Sequence, residues 1–158
     1  MHMARSCETV EAVDSSSAAV ETARFNLSRN SIANVSAKEA DVFHLLPAYV
    51  SARRRFDAIV LDPPAFAKSR SAVEGALRGY REINNRAMRL LNPGGVLVTC
   101  SCSHHVSEAA LLDVVAQAAL DAGRTLRILE RRTQASDHPI LLTVPETHYL
   151  KCLILQAL

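Results

Sequence analysis

Apolar and polar positions along this chain follow two periods, and the period switches back and forth from one end to the other. Short apolar runs rich in β-branched residues predict strands over 9–13, 35–40, 56–61, 96–101, 125–131 and 148–155. Between them a helical period predicts helices over 18–28, 73–91 and 107–122, with a shorter one around 42–52. Strands and helices that alternate over short connections specify a parallel sheet with helices on both faces. No helix separates the last two strands, so they are expected to pair antiparallel at one edge.

Turn-forming residues support these boundaries. Asn92-Pro93-Gly94-Gly95 cannot continue a helix and is expected to form a tight turn into the next strand. Ser107 is placed to cap the following helix. The 73–91 helix is amphipathic, with Leu77, Tyr80, Ala87, Met88 and Leu91 inward and Arg78, Arg81, Asn85, Arg86 and Arg89 on the opposite face. Such an arginine stripe is more often a solvated face than a track for RNA. The chain has no internal repeat, low-complexity tract or interdomain linker.

Composition narrows the class. A chain of 158 residues is about one domain long, and a domain of that size buries roughly two-thirds of its unfolded surface. Apolar residues make up 49% and aromatics only 4%, so the core is expected to be aliphatic, as in α/β proteins with buried parallel strands. A formal charge of +2 is too small to mark a nucleic-acid binder by itself. Cys7, Cys100, Cys102 and Cys152 lie at no metal-ligand spacing and are expected to be free thiols in a reducing cytoplasm. Cys7 and Cys152 are expected to be buried structural residues. No apolar run approaches the roughly 20 residues that span a bilayer, so no membrane partner is expected.

Ligands of open parallel sheets bind beyond the C-terminal strand ends, and three of these ends carry an acid. Asp14 ends the first strand, Asp41 follows the second, and Asp62 closes the third ahead of Pro63 and Pro64. A carboxylate after the second strand of a nucleotide-binding unit suits a ribose diol, but an acid there is as often a helix N-cap. Asp62-Pro63-Pro64 is more specific: two prolines fix an extended turn and remove two N–H donors, leaving carbonyls free for an exocyclic amine. Phe66 can stack on a base, and Lys68 can meet a phosphate, though a lone loop lysine is usually just solvated.

The next strand runs into Thr99-Cys100-Ser101-Cys102-Ser103-His104-His105. A cysteine at the mouth of such a sheet is a candidate nucleophile when nearby positive charge favours its thiolate, although buried structural cysteine is the commoner state. Strand alternation puts Cys100 and Cys102 on one face with Cys100 deeper. His104 and His105 have no third ligand in reach by sequence, so no metal is expected.

The runs LDPPAFAKS, GYREINNRAM, NPGGVLVTCSCS and ASDHPILLTVPETHYLK closely resemble the bacterial large-subunit rRNA cytosine-C5 methyltransferases, over nearly the whole chain. The resemblance implies a Rossmann-like class I methyltransferase sheet, S-adenosyl-L-methionine as cofactor and ribosomal RNA as partner. It further implies that Asp14, with Ser15, contacts the cofactor ribose, and that Asp41, with Val42, lies at the adenine. Asp62 and Pro63 would stand where cofactor and target base meet, and Pro64, Phe66 and Lys68 would contact the RNA. Cys102 matches the family's catalytic cysteine, with Asp62 as the second catalytic residue.

A complete member of that family begins with an RNA-binding domain, a connecting hairpin, and a first strand with a glycine-rich cofactor loop. None of these is recognisable here, since Gly75 and Gly79 fall in a helical region and Gly94, Gly95 and Gly123 in turns. The chain is therefore expected to be the methyltransferase domain, residues 1–158, incomplete at its N-terminus. The absent strand belongs between those starting near Thr9 and Phe56, so unpaired edges, and with them a homo-oligomer, are expected. Two other functions compete: methylation of a base nitrogen, which needs no cysteine after the fourth strand, and a non-catalytic fragment that binds RNA or a partner chain. A nicotinamide oxidoreductase lacks its G-x-G-x-x-G turn here.

Overall fold

The computed structural model describes residues 2–67 and 69–158. These form two compact units, one ending at Ala48 and the other running from Tyr49 to Leu158. In the first unit, β1 (Val10–Asp14) pairs parallel with β2 (Val35–Glu39), and α1 (Ser17–Arg29) is the crossover between them. Ser16 caps α1, its hydroxyl accepting from the Ala19 N–H at 3.3 Å. Val20 and Leu27 are the buried side chains of that helix. The Asn34 side-chain amide donates to the Ala4 and Cys7 carbonyls, both at 2.9 Å, and so ties the N-terminal turn to the start of β2. α2 (Val42–Ser51) then leads the chain out of this unit.

The second unit contains a four-stranded sheet in the order β3-β4-β6-β5. β3 (Phe56–Leu61) pairs parallel with β4 (Leu91–Ser101) across α3 (Val73–Leu90). α4 (Glu108–Ala122) leads to β5 (Leu126–Arg132), and β6 (Lys151–Ala157) inserts between β4 and β5, antiparallel to both. The antiparallel edge pair of the last two strands is thus present. Ser107 caps α4 as its sequence position demands, accepting from the Ala110 N–H at 3.1 Å, and Gly123 ends the helix in the left-handed region at φ 63°. The core is aliphatic: Leu97, Leu111, Leu153, Ile83, Met88 and Leu90 are buried.

The α3 arginines are spent on structure. Arg81 makes a bidentate pair with Asp121 of α4, and Arg89 donates to the Asp121 carbonyl at 2.8 Å. Arg78 and Arg86 pair with Glu74 and Glu82 one turn away on their own helix.

Four expectations need correction. The Asn92–Gly95 segment is not a turn that precedes the strand but a bulge inside it: Phe56 pairs with Leu91, whereas Ala58 pairs with Val96. Gly94 takes φ 77° there, and a side chain on Gly95 would meet the Asn92 carbonyl oxygen at 2.9 Å. The last strand begins at Lys151, because 145–147 form a short 3-10 helix that ends at His148. Strands are not buried throughout, since Ala12 of β1 and Ala58 and Val60 of β3 are exposed; β1 and β3 each have one strand neighbour among the described residues. Cys7 and Cys152 are half-buried, not core residues.

Candidate active site

The first unit brings two acids to the C-terminal ends of adjacent parallel strands. Asp14 is the last residue of β1, and its carbonyl accepts from the Ala40 N–H at 3.0 Å, next to Asp41. Both carboxylates have the capping role that strand-end acids often take. Asp14 Oδ1 accepts from the Ser16 N–H at 2.8 Å, and Asp41 Oδ1 accepts from the Phe43 N–H at 2.8 Å. Each keeps its Oδ2 without a hydrogen-bond partner among the described residues. Capping therefore fixes the orientation of both groups without exhausting them. Ser15 and Val42 flank them, Ser15 exposed.

In the second unit the site grows from the ends of β3 and β4. β3 stops at Leu61, and Asp62 and Pro64 are exposed beyond it. β4 stops at Ser101, which puts Cys102 on the first non-strand position, half-buried. Parallel pairing of Leu61 with Thr99 keeps these two exits side by side. The Cys102 thiol reaches the Pro63 carbonyl at 3.9 Å, a weak contact that places the sulfur against the Asp-Pro-Pro turn. Cys100 lies inside β4 and is buried. Burial first, and then the neighbouring Cys152, push its thiol well above the ordinary range, so it stays protonated and poorly nucleophilic.

Buried side chains lock these two exits together. Ser103 Oγ accepts from the Ala67 N–H at 3.2 Å and lies 3.2 Å from the Tyr80 hydroxyl of α3. The Phe66 ring, half-buried, packs against Tyr80 with centroids 4.7 Å apart, so one part of it is committed to the protein. The Lys151 ammonium, at the start of β6, donates to the Ser103 carbonyl at 2.7 Å and the Tyr149 carbonyl at 2.9 Å. Ser103 and Lys151 were not singled out from the sequence, and Tyr80 was named there only as an inward residue of its helix. Lys151 carried a usable signal, a lone cation opening an apolar strand run. His104 and His105 are exposed, and no cluster of three metal-binding side chains occurs among the described residues. Lys68 lies outside the described residues.

Comparison with known proteins shows what the chain is similar to. The chain is 50% identical over 148 residues to the ribosomal RNA large subunit methyltransferase I of Shewanella frigidimarina, an alignment covering 92% of this chain and 37% of that protein. The protein of the same name from Tolumonas auensis is 47% identical over 148 residues, again with 92% and 37% covered. The chain thus spans about 37% of the length of the curated relatives it matches. Among solved structures, a protein from Streptococcus mutans described as a SAM-dependent methyltransferase superposes with TM-score 0.80 at 16% identity, covering 94% of this chain and 38% of that one. TrmN from Thermus thermophilus superposes with TM-score 0.64 at 22% identity, covering 95% and 36%. These likenesses show a Rossmann-like methyltransferase fold. Residues 2–138 match the family model for a methyltransferase domain, and the chain belongs to that family.

Proposed function

We propose that this chain is the catalytic part of an S-adenosyl-L-methionine-dependent enzyme that methylates carbon 5 of a cytosine in large-subunit ribosomal RNA, with Cys102 as nucleophile. The observation that carries this reading is the half-buried Cys102 thiol, 3.9 Å from the Pro63 carbonyl of the Asp-Pro-Pro turn. A base-nitrogen methyltransferase has no use for a thiol there. The half identity to proteins named ribosomal RNA large subunit methyltransferase I supports the choice of RNA.

The residues present fit the cofactor. Asp14 and Asp41 each hold one carboxylate oxygen on a backbone N–H and keep the other for the cofactor, Asp14 for the ribose and Asp41 for the adenine. Ser15 and Val42 flank them. When bound, S-adenosyl-L-methionine supplies an electrophilic methyl group on a sulfonium.

Carbon 5 of cytosine is too weak a nucleophile to take that methyl unaided. The Cys102 thiolate adds to carbon 6, forming a C–S bond and moving the ring electron pair onto carbon 5. After carbon 5 has gained its methyl group, loss of the carbon 5 proton to a base expels the Cys102 thiolate and restores the ring. Asp62 and the Pro64 carbonyl hold the polar edge of the base, while Phe66 and Lys68 position the RNA. Cytidine carrying fluorine at carbon 5 has no proton to lose, so it traps the adduct. Incubating the chain with cofactor and 5-fluorocytidine RNA should give a protein–RNA band that survives denaturing electrophoresis and is absent with Cys102→Ala. A band of equal intensity in the variant overturns the assignment.

A further inference from the structure

We propose that Lys151 is the positioning residue of Cys102, fixing the loop that carries the thiol and supplying the positive charge that favours its thiolate. This rests on the reading of Cys102 as the nucleophile. Lys151 is only 5% exposed, and a lysine that deep normally pairs with a carboxylate. Among the described residues none pairs with it; its ammonium donates only to the Ser103 carbonyl at 2.7 Å and the Tyr149 carbonyl at 2.9 Å. Ser103 is the residue next to Cys102. The register sets Lys151 opposite Ser101, so the cation enters the site from the neighbouring strand at the level where β4 ends.

Among the described residues, Lys151 is the buried lysine whose ammonium reaches the loop that carries Cys102. Among the described residues, the titratable groups around this end of β4 are Asp62 after β3, Cys100 and Cys102, His104 and His105 in the following loop, Tyr80 of α3, Tyr149 just before β6, and Cys152 within it. Arg132 of β5 lies level with Cys152 and is paired with Glu130. Burial holds the Lys151 ammonium below the ordinary lysine range, and the charge that opposes this is that of Cys102. A buried cation with carbonyl partners but no carboxylate partner is stabilised by an anion nearby, and Cys102 adjoins Ser103, whose carbonyl the ammonium holds.

The test is alkylation of Cys102, followed peptide by peptide in the intact chain. Lys151→Gln keeps a donor for the Ser103 carbonyl but loses the charge, whereas Lys151→Arg keeps both. At about pH 7 iodoacetamide labelling of Cys102 should fall about tenfold in Lys151→Gln, as expected for loss of a nearby opposite charge, with the pH profile moved upward. Lys151→Arg should restore the rate. Parental labelling in a folded Lys151→Gln chain overturns the proposal and leaves Lys151 a mere tether. Should Lys151→Gln fail to fold, the parent chain decides: anionic iodoacetate, relative to iodoacetamide, should label Cys102 more readily than it labels a free small thiol, and an equal or lower ratio overturns the proposal. Neither assay needs methyl transfer. Failure of the nucleophile reading would instead appear as methylation surviving in Cys102→Ala.

Discussion

Two thiols two residues apart meet opposite environments. Cys100 is buried beside Cys152, and its folded-state titration is pushed above the unfolded value. The neutral thiol therefore contributes stability that is fully present below the unfolded value of about 8.5 and is lost as pH rises toward the folded one. Since the thiolate is the reactive form, mass-resolved iodoacetamide labelling at about pH 8 should modify Cys102 well before Cys100. Faster labelling of Cys100 would contradict the assignment of depth. Strand placement made this ordering legible in the sequence, because Cys100 lies within the strand and Cys102 just past its end. Lys151 was not legible in the same way: its role depends on the Ser103 carbonyl, 48 residues earlier in the chain, and on the β4–β6 register. Asp14 and Asp41 read as either caps or ligands, and their geometry serves both.

Among elements, periodicity placed most of the strands and helices, most clearly α3, whose buried residues recur at helical spacing. The errors fall where tertiary pairing overrides local chemistry. Asn92-Pro93-Gly94-Gly95 has the composition of a free turn, yet β3 captures it as a bulge within β4. Gly95 is required there by close approach: a Cβ would stand 2.9 Å from the Asn92 oxygen and 3.2 Å from the Asp57 oxygen, both backbone atoms. Gly95→Ala should therefore cost about 1–3 kcal/mol, as overpacking does, measured by urea unfolding. An unchanged midpoint would show that the bulge relaxes freely. The closing strand was placed too early because His148 and Tyr149 look strand-forming, whereas the 3-10 turn at Pro145–Thr147 delays it to Lys151.

At the scale of the whole molecule, the sheet hydrogen bonding is divided into a β1–β2 pair and a four-stranded group that starts at β3. Among the described residues β1 and β3 each have one strand neighbour, and both carry exposed apolar residues, among them Ala12 and Val60. Free edges of this kind template pairing with another chain, so sedimentation across a range of concentrations should show a dimer or larger species. A strictly monomeric profile would count against this. The separation into two compact units was not legible in the sequence, because periodicity says nothing about pairing over distance.

The claim that most of the account depends on is that methyl transfer to carbon 5 runs through Cys102. Digestion of large-subunit rRNA to nucleosides, after incubation with the chain and isotopically labelled S-adenosyl-L-methionine, tests it most directly. The parent and Cys100→Ala should yield labelled 5-methylcytidine. Cys102→Ala should yield less by a factor far exceeding the roughly 10²–10⁴ lost with a proton-transfer group. Label on a base nitrogen, or 5-methylcytidine formed by Cys102→Ala at near the parent rate, would contradict it.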